Sequence, residues 1–322
     1  MSQPGLPESV TEGTFLWEPS EDRKAGSNLA RYMRWLSAEK GLEFEGYADL
    51  WQWSTTDLEG FWASIWEFFH VNAQAPYERP LADRRMPGAR WFPGAVLNYA
   101  EHALARDDDH PALLFKSETR PLAGVSYRKL RRDVSSVAAG LRRLGVRKGD
   151  RVAAYMPNIP ETLVAFLATA SIGAIWSSCA PEFGTRSVLD RFRQIGPKVL
   201  LAVDGYTFRG RDFSRLDAVS QIQRELPSLA HTVVLPYLDE QSSTVGLTDT
   251  ILWSDLDRGG GPLTFEPVLF DHPLWVLYTS GTTGLPKSIV HGHGGILLEH
   301  FKTLSLHLDL KPDDRFFWFT TT

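Results

Sequence analysis

Apolar positions in the first quarter of the chain recur at helical spacing. Leu29, Tyr32, Met33 and Leu36 share one face of residues 27–42, which close near Gly41. Leu58, Phe61, Trp62, Ile65, Trp66 and Phe69 form a wider stripe, and Ser54 and Asp57 supply an S-x-x-D start signal ahead of it. Helices this few are too small for a secure core, so they are expected to cap a larger domain. Residues 76–93, rich in proline and arginine, read as an irregular connector.

Beyond residue 110 short apolar runs alternate with amphipathic ones. An apolar strand is expected at 112–115. Ser126 then caps a helix with inward Leu130, Val134, Val137, Ala138, Leu141 and Leu144, stopped by Gly145. Further strands are expected at 151–156, 174–177, 198–203, 232–235 and 274–278. Between them lie a helix opened by Pro160 and Glu161, one over 186–195 ended by Gly196, and one over 213–226. Residues 241–262 are polar and glycine-rich, a surface excursion. Wholly apolar strands separated by helices imply an α/β fold whose parallel sheet is covered on both faces.

Composition adds boundaries. The chain has 322 residues, 43% hydrophobic and 23% charged, enough for about two globular domains. A net charge of −5 argues against nucleic acid as a partner. The single cysteine, Cys179, excludes an intramolecular disulfide framework and suits a reducing, cytoplasmic setting. The longest apolar run, 163–176, contains Thr169, Ser171 and Gly173 and is too short for a membrane helix. Residues 1–14 lack the basic and apolar regions of a secretory signal.

The chemistry concentrates in Tyr278-Thr279-Ser280-Gly281-Thr282-Thr283-Gly284-Leu285-Pro286-Lys287, between two apolar runs. Glycines let backbone N–H groups approach an anion, hydroxyls donate to phosphate or ligate magnesium, and lysine brings a mobile positive charge. That is the composition of a polyphosphate cradle. A Walker A loop is excluded, because Leu285 and Pro286 separate Gly284 from Lys287 and proline disfavours the helix that pattern needs.

This decapeptide resembles the signature loop of the adenylate-forming superfamily of acyl-CoA synthetases, peptide-synthetase adenylation domains and luciferases. Residues 47–54, with the Phe61-Trp62 helix, and Trp91-Phe92-Pro93-Gly94-Ala95-Val96-Leu97-Asn98 resemble stretches of its acetyl-CoA synthetase-like branch. Residues 173–184, from Gly173-Ala174-Ile175-Trp176 to Phe183-Gly184, resemble the acetoacetate-activating members. The resemblance implies a helical N-terminal cap over 1–95 on an incomplete AMP-binding domain over 96–322, with the family's small C-terminal domain absent. It also implies a two-step ligation: acetoacetate attacks the α-phosphate of ATP, and coenzyme A then displaces AMP. Thr279, Ser280, Gly281, Thr282, Thr283 and Gly284 would wrap the phosphates. Lys287 and Thr283 would serve catalysis, and Thr279 would ligate Mg2+. Arg209 would contact the nucleotide end of CoA. Relatives carry Gly-Gly where Pro181 and Glu182 stand, and a glutamate beside a phosphate is unfavourable there.

Other candidates have plainer readings. The basic residues from Arg128 to Arg151 read as a solvated helix face. His291, His293, His300 and His307 match no familiar zinc spacing, and His293 falls where the superfamily places a histidine near the acyl substrate. Cys179 reads as a buried small hydrophobe. Residues 315–322 read as a buried strand, beyond which the family's acyl pocket, adenine motif, ribose aspartate and C-terminal lysine would follow. The chain alone is therefore expected to be inactive, with an apolar patch at 316–319. The alternatives are a nucleotide-binding subunit working with a complementary C-terminal fragment, or part of an acetate or propionate ligase. A phosphate-loop kinase is argued against by the Leu-Pro insertion.

Overall fold

The computed structural model describes residues 12–279 and 284–319. They fall into two compact units, one of residues 12–57 with 300–316, the other of 58–299 with 317–319.

The first unit is helical: Glu21–Ala25, Asn28–Lys40, Tyr47–Thr56 and a π-helix, Phe301–His307. Ser27 caps Asn28–Lys40 by accepting from the Ala30 amide, and Gly41 ends it in the left-handed conformation at φ 64°. The buried Asn28 side chain donates to the carbonyls of Ser305 and Leu310, and its amide donates to Asp309 Oδ1 at 2.7 Å. Ser54 of the S-x-x-D signal does not cap Leu58–Phe68. Ser54 lies inside Tyr47–Thr56 and its hydroxyl donates back to the Trp51 carbonyl, while Asp57 sits between that helix and Leu58–Phe68.

The second unit is built on a seven-stranded sheet. Its strands, in chain order, are β1 (Arg151–Tyr155), β2 (Ile175–Cys179), β3 (Val199–Val203), β4 (His231–Leu235), β5 (Thr250–Leu252), β6 (Pro273–Thr279) and β7 (Lys287–Gly292). The spatial order is β5-β4-β3-β1-β2-β6-β7, all parallel except the antiparallel β6–β7 pair. Alternation along β1 divides the core. Val152 and Ala154 pack with helices α1 (Tyr127–Arg143) and α2 (Pro160–Ser171); Ala153 and Tyr155 pack with α3 (Thr185–Ile195) and α4 (Leu216–Glu225).

Four local expectations change. Pro111–Phe115 is a strand, but it pairs antiparallel with Ala123–Ser126 outside the main sheet. Phe213 lies in a hairpin strand, Arg211–Ser214, paired with Gly205–Phe208, so α4 starts only at Leu216. The stretch 241–262 is more than a surface excursion, for it supplies edge strand β5 and the short helix Trp253–Leu256. That helix explains Gly140, which costs α1 about 1 kcal/mol relative to alanine: a Cβ there would lie 2.2 Å from the Leu256 carbonyl oxygen. Residues 315–319 form no strand, since no described strand pairs with them, and Phe317 and Phe319 are 84% and 92% exposed; residues 320–322 lie outside the described residues.

The basic face of α1 is not merely solvated. Arg143 donates to the Leu256 carbonyl, Arg142 to Thr264, and Arg128 pairs with Asp109. Arg151, on β1, bonds the Ile195 and Gly196 carbonyls that end α3.

Candidate functional site

Parallel β1, β2, β3 and β6 bring Tyr155, Cys179, Val203 and Thr279 to one edge of the sheet. The chain leaves β1 for a helix on one face and leaves β2 and β3 for helices on the other. Such a switch at the carboxyl ends of strands opens a crevice where ligands bind.

Thr279 and Lys287 are the last cross-strand pair of the β6–β7 hairpin, directly opposite each other and both exposed. Opposed residues put their side chains on the same face, within reach of one ligand. Ser280, Gly281, Thr282 and Thr283 lie outside the described residues. Gly284 has φ +131°, a conformation that favours glycine. Lys287 makes no ion pair among the described residues, so its ammonium is available to an anion.

Helix α3 holds the shoulders of this hairpin. Gln194 Nε2 donates to the Pro286 carbonyl at 2.9 Å, and the Tyr278 hydroxyl donates to the Arg191 carbonyl at 2.9 Å. The Arg191 guanidinium lies 5.1 Å from the Phe183 ring and 5.8 Å from that of Tyr278. Burial pushes the Tyr278 phenol up to about 12, so it is a neutral donor at physiological pH.

The segment after β2 is clamped from two sides. Tyr155 Oη lies 2.8 Å from the Pro181 carbonyl oxygen and 2.7 Å from that of Phe183, and Arg215 Nε donates to Pro181 at 2.6 Å. Glu182 is exposed between these anchors. Tyr155→Phe is expected to leave the Phe183 carbonyl short of a donor and to destabilise the chain by about 1–2 kcal/mol. Urea denaturation tests this; an unchanged midpoint would show that the clamp contributes nothing.

Arg209 occupies the tip of the hairpin that follows β3. It has φ 52°, its side chain is exposed, and its guanidinium carbon lies 5.3 Å from the centre of the exposed Phe208 ring. Buried Asp204, at the base of that hairpin, accepts from the amides of Tyr237, Leu238 and Asp239. The fold therefore puts Thr279 at the end of β6, Lys287 opposite it, and Arg209 in the hairpin that follows β3, and the carboxyl ends of β6 and β3 lie on the same sheet edge.

His293 opens the helix His293–His300 and is completely buried. Its Nδ1 accepts from the Tyr99 amide at 3.1 Å, while Nε2 is buried without a hydrogen-bond partner. Burial first, then the His272 imidazole, push it down to about 3. His291 accepts from Trp275 Nε1 at 2.8 Å. Cys179 is buried and its thiol is pushed up to about 12 by burial, which suppresses the nucleophilic thiolate.

Tyr155, Arg191, Gln194 and Asp204 were not anticipated from sequence. No motif marks them; the one usable signal was that Tyr155 and Asp204 stand at the ends of apolar strands.

With this geometry established, the chain is placed by its similarities. It belongs to the AMP-binding enzyme family, whose profile matches residues 100–322. A second profile, the acetyl-coenzyme A synthetase N-terminus, matches residues 47–103. Among proteins similar in sequence, an acetoacetyl-coenzyme A synthetase of Rhizobium meliloti (strain 1021) is 40% identical over 310 residues, covering 95% of this chain and 47% of the relative. One of Danio rerio is 37% identical, covering 98% and 48%. The solved structure of acetoacetyl-CoA synthetase from Streptomyces lividans superposes with a TM-score of 0.90 at 51% identity, covering 95% of this chain and 47% of that one. The chain thus spans about half the length of the relatives it matches. No helix among the described residues is long and apolar enough to cross a membrane.

Proposed function

We propose that this chain carries the ATP-phosphate part of an acid–thiol ligase that converts acetoacetate, CoA and ATP into acetoacetyl-CoA, AMP and pyrophosphate through an acyl-adenylate. The observation that carries the reading is the hairpin mouth, where Thr279 and Lys287, which makes no ion pair among the described residues, face each other at the carboxyl edge of the sheet. The names of relatives at 37–51% identity support acetoacetate as the acid.

In this reading the loop 279–284 wraps the β- and γ-phosphates, with Ser280, Gly281, Thr282, Thr283 and Gly284 offering amides and hydroxyls. Lys287 balances the charge of the leaving pyrophosphate, and Thr279 offers its exposed hydroxyl to Mg2+, which would neutralise phosphate charge. Attack on the α-phosphate needs orientation and charge balance more than covalent help from the protein. Arg209 takes the nucleotide end of CoA. The division into a cap over 1–95 and an adenylation portion over 96–322 belongs to the same proposal, supported by the two profile matches. Cytoplasmic residence belongs to it as well, supported by the single, buried, unpaired cysteine.

Relatives twice as long support the further proposal that the remaining steps use sequence matching their second halves, in the same polypeptide or in a complementary C-terminal partner. The test combines ATP titration of this chain with an assay of acetoacetate-dependent AMP formation. The expected result is ATP binding by the chain alone, with AMP formed only when the complementary sequence is present. Absence of ATP binding in the presence of magnesium would overturn the reading. AMP formation that favours acetate or propionate would move the substrate assignment to those acids.

A further inference from the structure

The hairpin tip that carries Arg209 is held by a residue far away in sequence. Glu118 Oε1 accepts from the Arg209 amide and Oε2 from the Gly210 amide, each at 2.8 Å. One carboxylate therefore occupies both amides of the tip. A non-glycine residue at φ 52° is under backbone strain, and charge-assisted bonds to successive amides offset that strain.

Glu118 is itself on a fixed support. Its turn, between Pro111–Phe115 and Ala123–Ser126, is closed by the Ser117 amide on the Arg120 carbonyl and by the Arg120 amide on Ser117 Oγ. Arg120 then donates to Glu161 of α2 at 2.7 Å and stacks 4.6 Å from the centre of the Tyr237 ring. Tyr237 in turn donates its amide to Asp204 at the base of the Arg209 hairpin. The tip is thus braced from its base and across its top.

This bracing leaves Arg209 with a free guanidinium. Among the described residues its side chain has no carboxylate partner, although Glu118 is close enough to bond its own backbone. An exposed arginine beside an exposed phenylalanine offers a phosphate contact and a stacking face together, the chemistry of a purine nucleotide bearing a phosphate.

We propose that Glu118 is the positioning residue of the CoA nucleotide subsite, holding the Arg209–Gly210 amides so that the Arg209 guanidinium stays beside Phe208 and open to a phosphate. The proposal rests on the assignment of Arg209 to CoA. If Glu118 merely added negative charge near the ligand, its removal would strengthen binding; as a positioning residue, its removal weakens binding.

The test is calorimetric titration of the chain with CoA, dephospho-CoA and ATP, using wild type, Glu118→Ala, Glu118→Gln, Arg209→Ala and the double alanine variant. Glu118→Ala is expected to weaken CoA binding by about tenfold and to leave ATP binding unchanged. Glu118→Gln, which keeps one acceptor oxygen, is expected to fall between. Dephospho-CoA, lacking the terminal phosphate, is expected to lose little on either change. In the Arg209→Ala background Glu118→Ala is expected to have no further effect, a non-additivity that a general structural role does not produce. CoA affinity unchanged in Glu118→Ala but lost in Arg209→Ala overturns the positioning role and leaves the Arg209 assignment standing. CoA affinity unchanged in Arg209→Ala overturns both. A Glu118→Ala loss that persists in the Arg209→Ala background, or that extends equally to ATP, overturns the proposal by showing a structural effect.

Discussion

Replacing Lys287 with alanine is expected to slow acetoacetate-dependent adenylate formation by about 10²–10³-fold, the loss seen when one preorganised charge stabiliser of a transition state is removed. ATP affinity of the chain should fall in parallel. Fold stability should change by no more than about 0.5 kcal/mol, because Lys287 is exposed and pairs with no carboxylate among the described residues. This separation makes the variant informative: an effect on nucleotide without an effect on the melt locates the change at the hairpin mouth. Lys287→Arg should restore only part of the loss, since a planar fork on a different stem does not reproduce a mobile point charge. Pyrophosphate exchange with the complementary sequence present reads the rate. Full exchange in Lys287→Ala would remove the residue from the machinery.

That expectation was reachable from sequence because the chemistry of a phosphate cradle is written in local composition. Two glycines, four serine and threonine hydroxyls and a lysine within residues 278–287 needed no tertiary information. The central sheet was legible for a similar reason. Strands buried on both faces, such as Val199–Val203, are continuously apolar, and Ser126, Pro160 and Gly196 mark helix boundaries by their own backbone and capping chemistry.

What escaped depended on pairing between distant segments. Phe213 fits an amphipathic helix pattern, yet its strand meets Tyr206 across a hairpin and the two rings stack at 5.3 Å. Tertiary pairing overrides local period there. Glu118 is a charged residue in a polar turn, with nothing to distinguish it until the fold brings it to Arg209. The run at 315–319 shows the converse failure. Its apolar composition suits a core strand, but hydrogen-bonded neighbours make a strand, and none of the described strands supplies them.

The buried imidazole of His293 makes the second large effect a matter of pH. Its folded-state value of about 3 lies well below the ordinary 6.5, first through burial and then through the neighbouring His272. Above pH 6.5 both folded and unfolded chains hold it neutral, and its contribution to stability is fully present. As pH falls below 6.5 the unfolded chain takes up a proton that the folded chain refuses, so stability declines by about 1.4 kcal/mol per pH unit until the folded value is reached. At pH 4.5 the loss should be about 3 kcal/mol, a substantial share of the stability of an ordinary domain. His102, also lowered by burial, adds in the same direction. Carboxylates held below their ordinary values, such as Asp150 and Asp309, lose their contribution chiefly below pH 4, leaving the window from 6.5 to 4.5 to the histidines. His293→Asn keeps an acceptor for the Tyr99 amide and cannot titrate, so its unfolding midpoint should be markedly flatter across that window. Urea melts at half-unit pH intervals measure the two slopes, and equal slopes would mean that His293 is solvated or partnered in solution. The same neutral imidazole, with Nε2 buried and without a hydrogen-bond partner, is why acid should loosen this region before the carboxylate pairs of the surface give way.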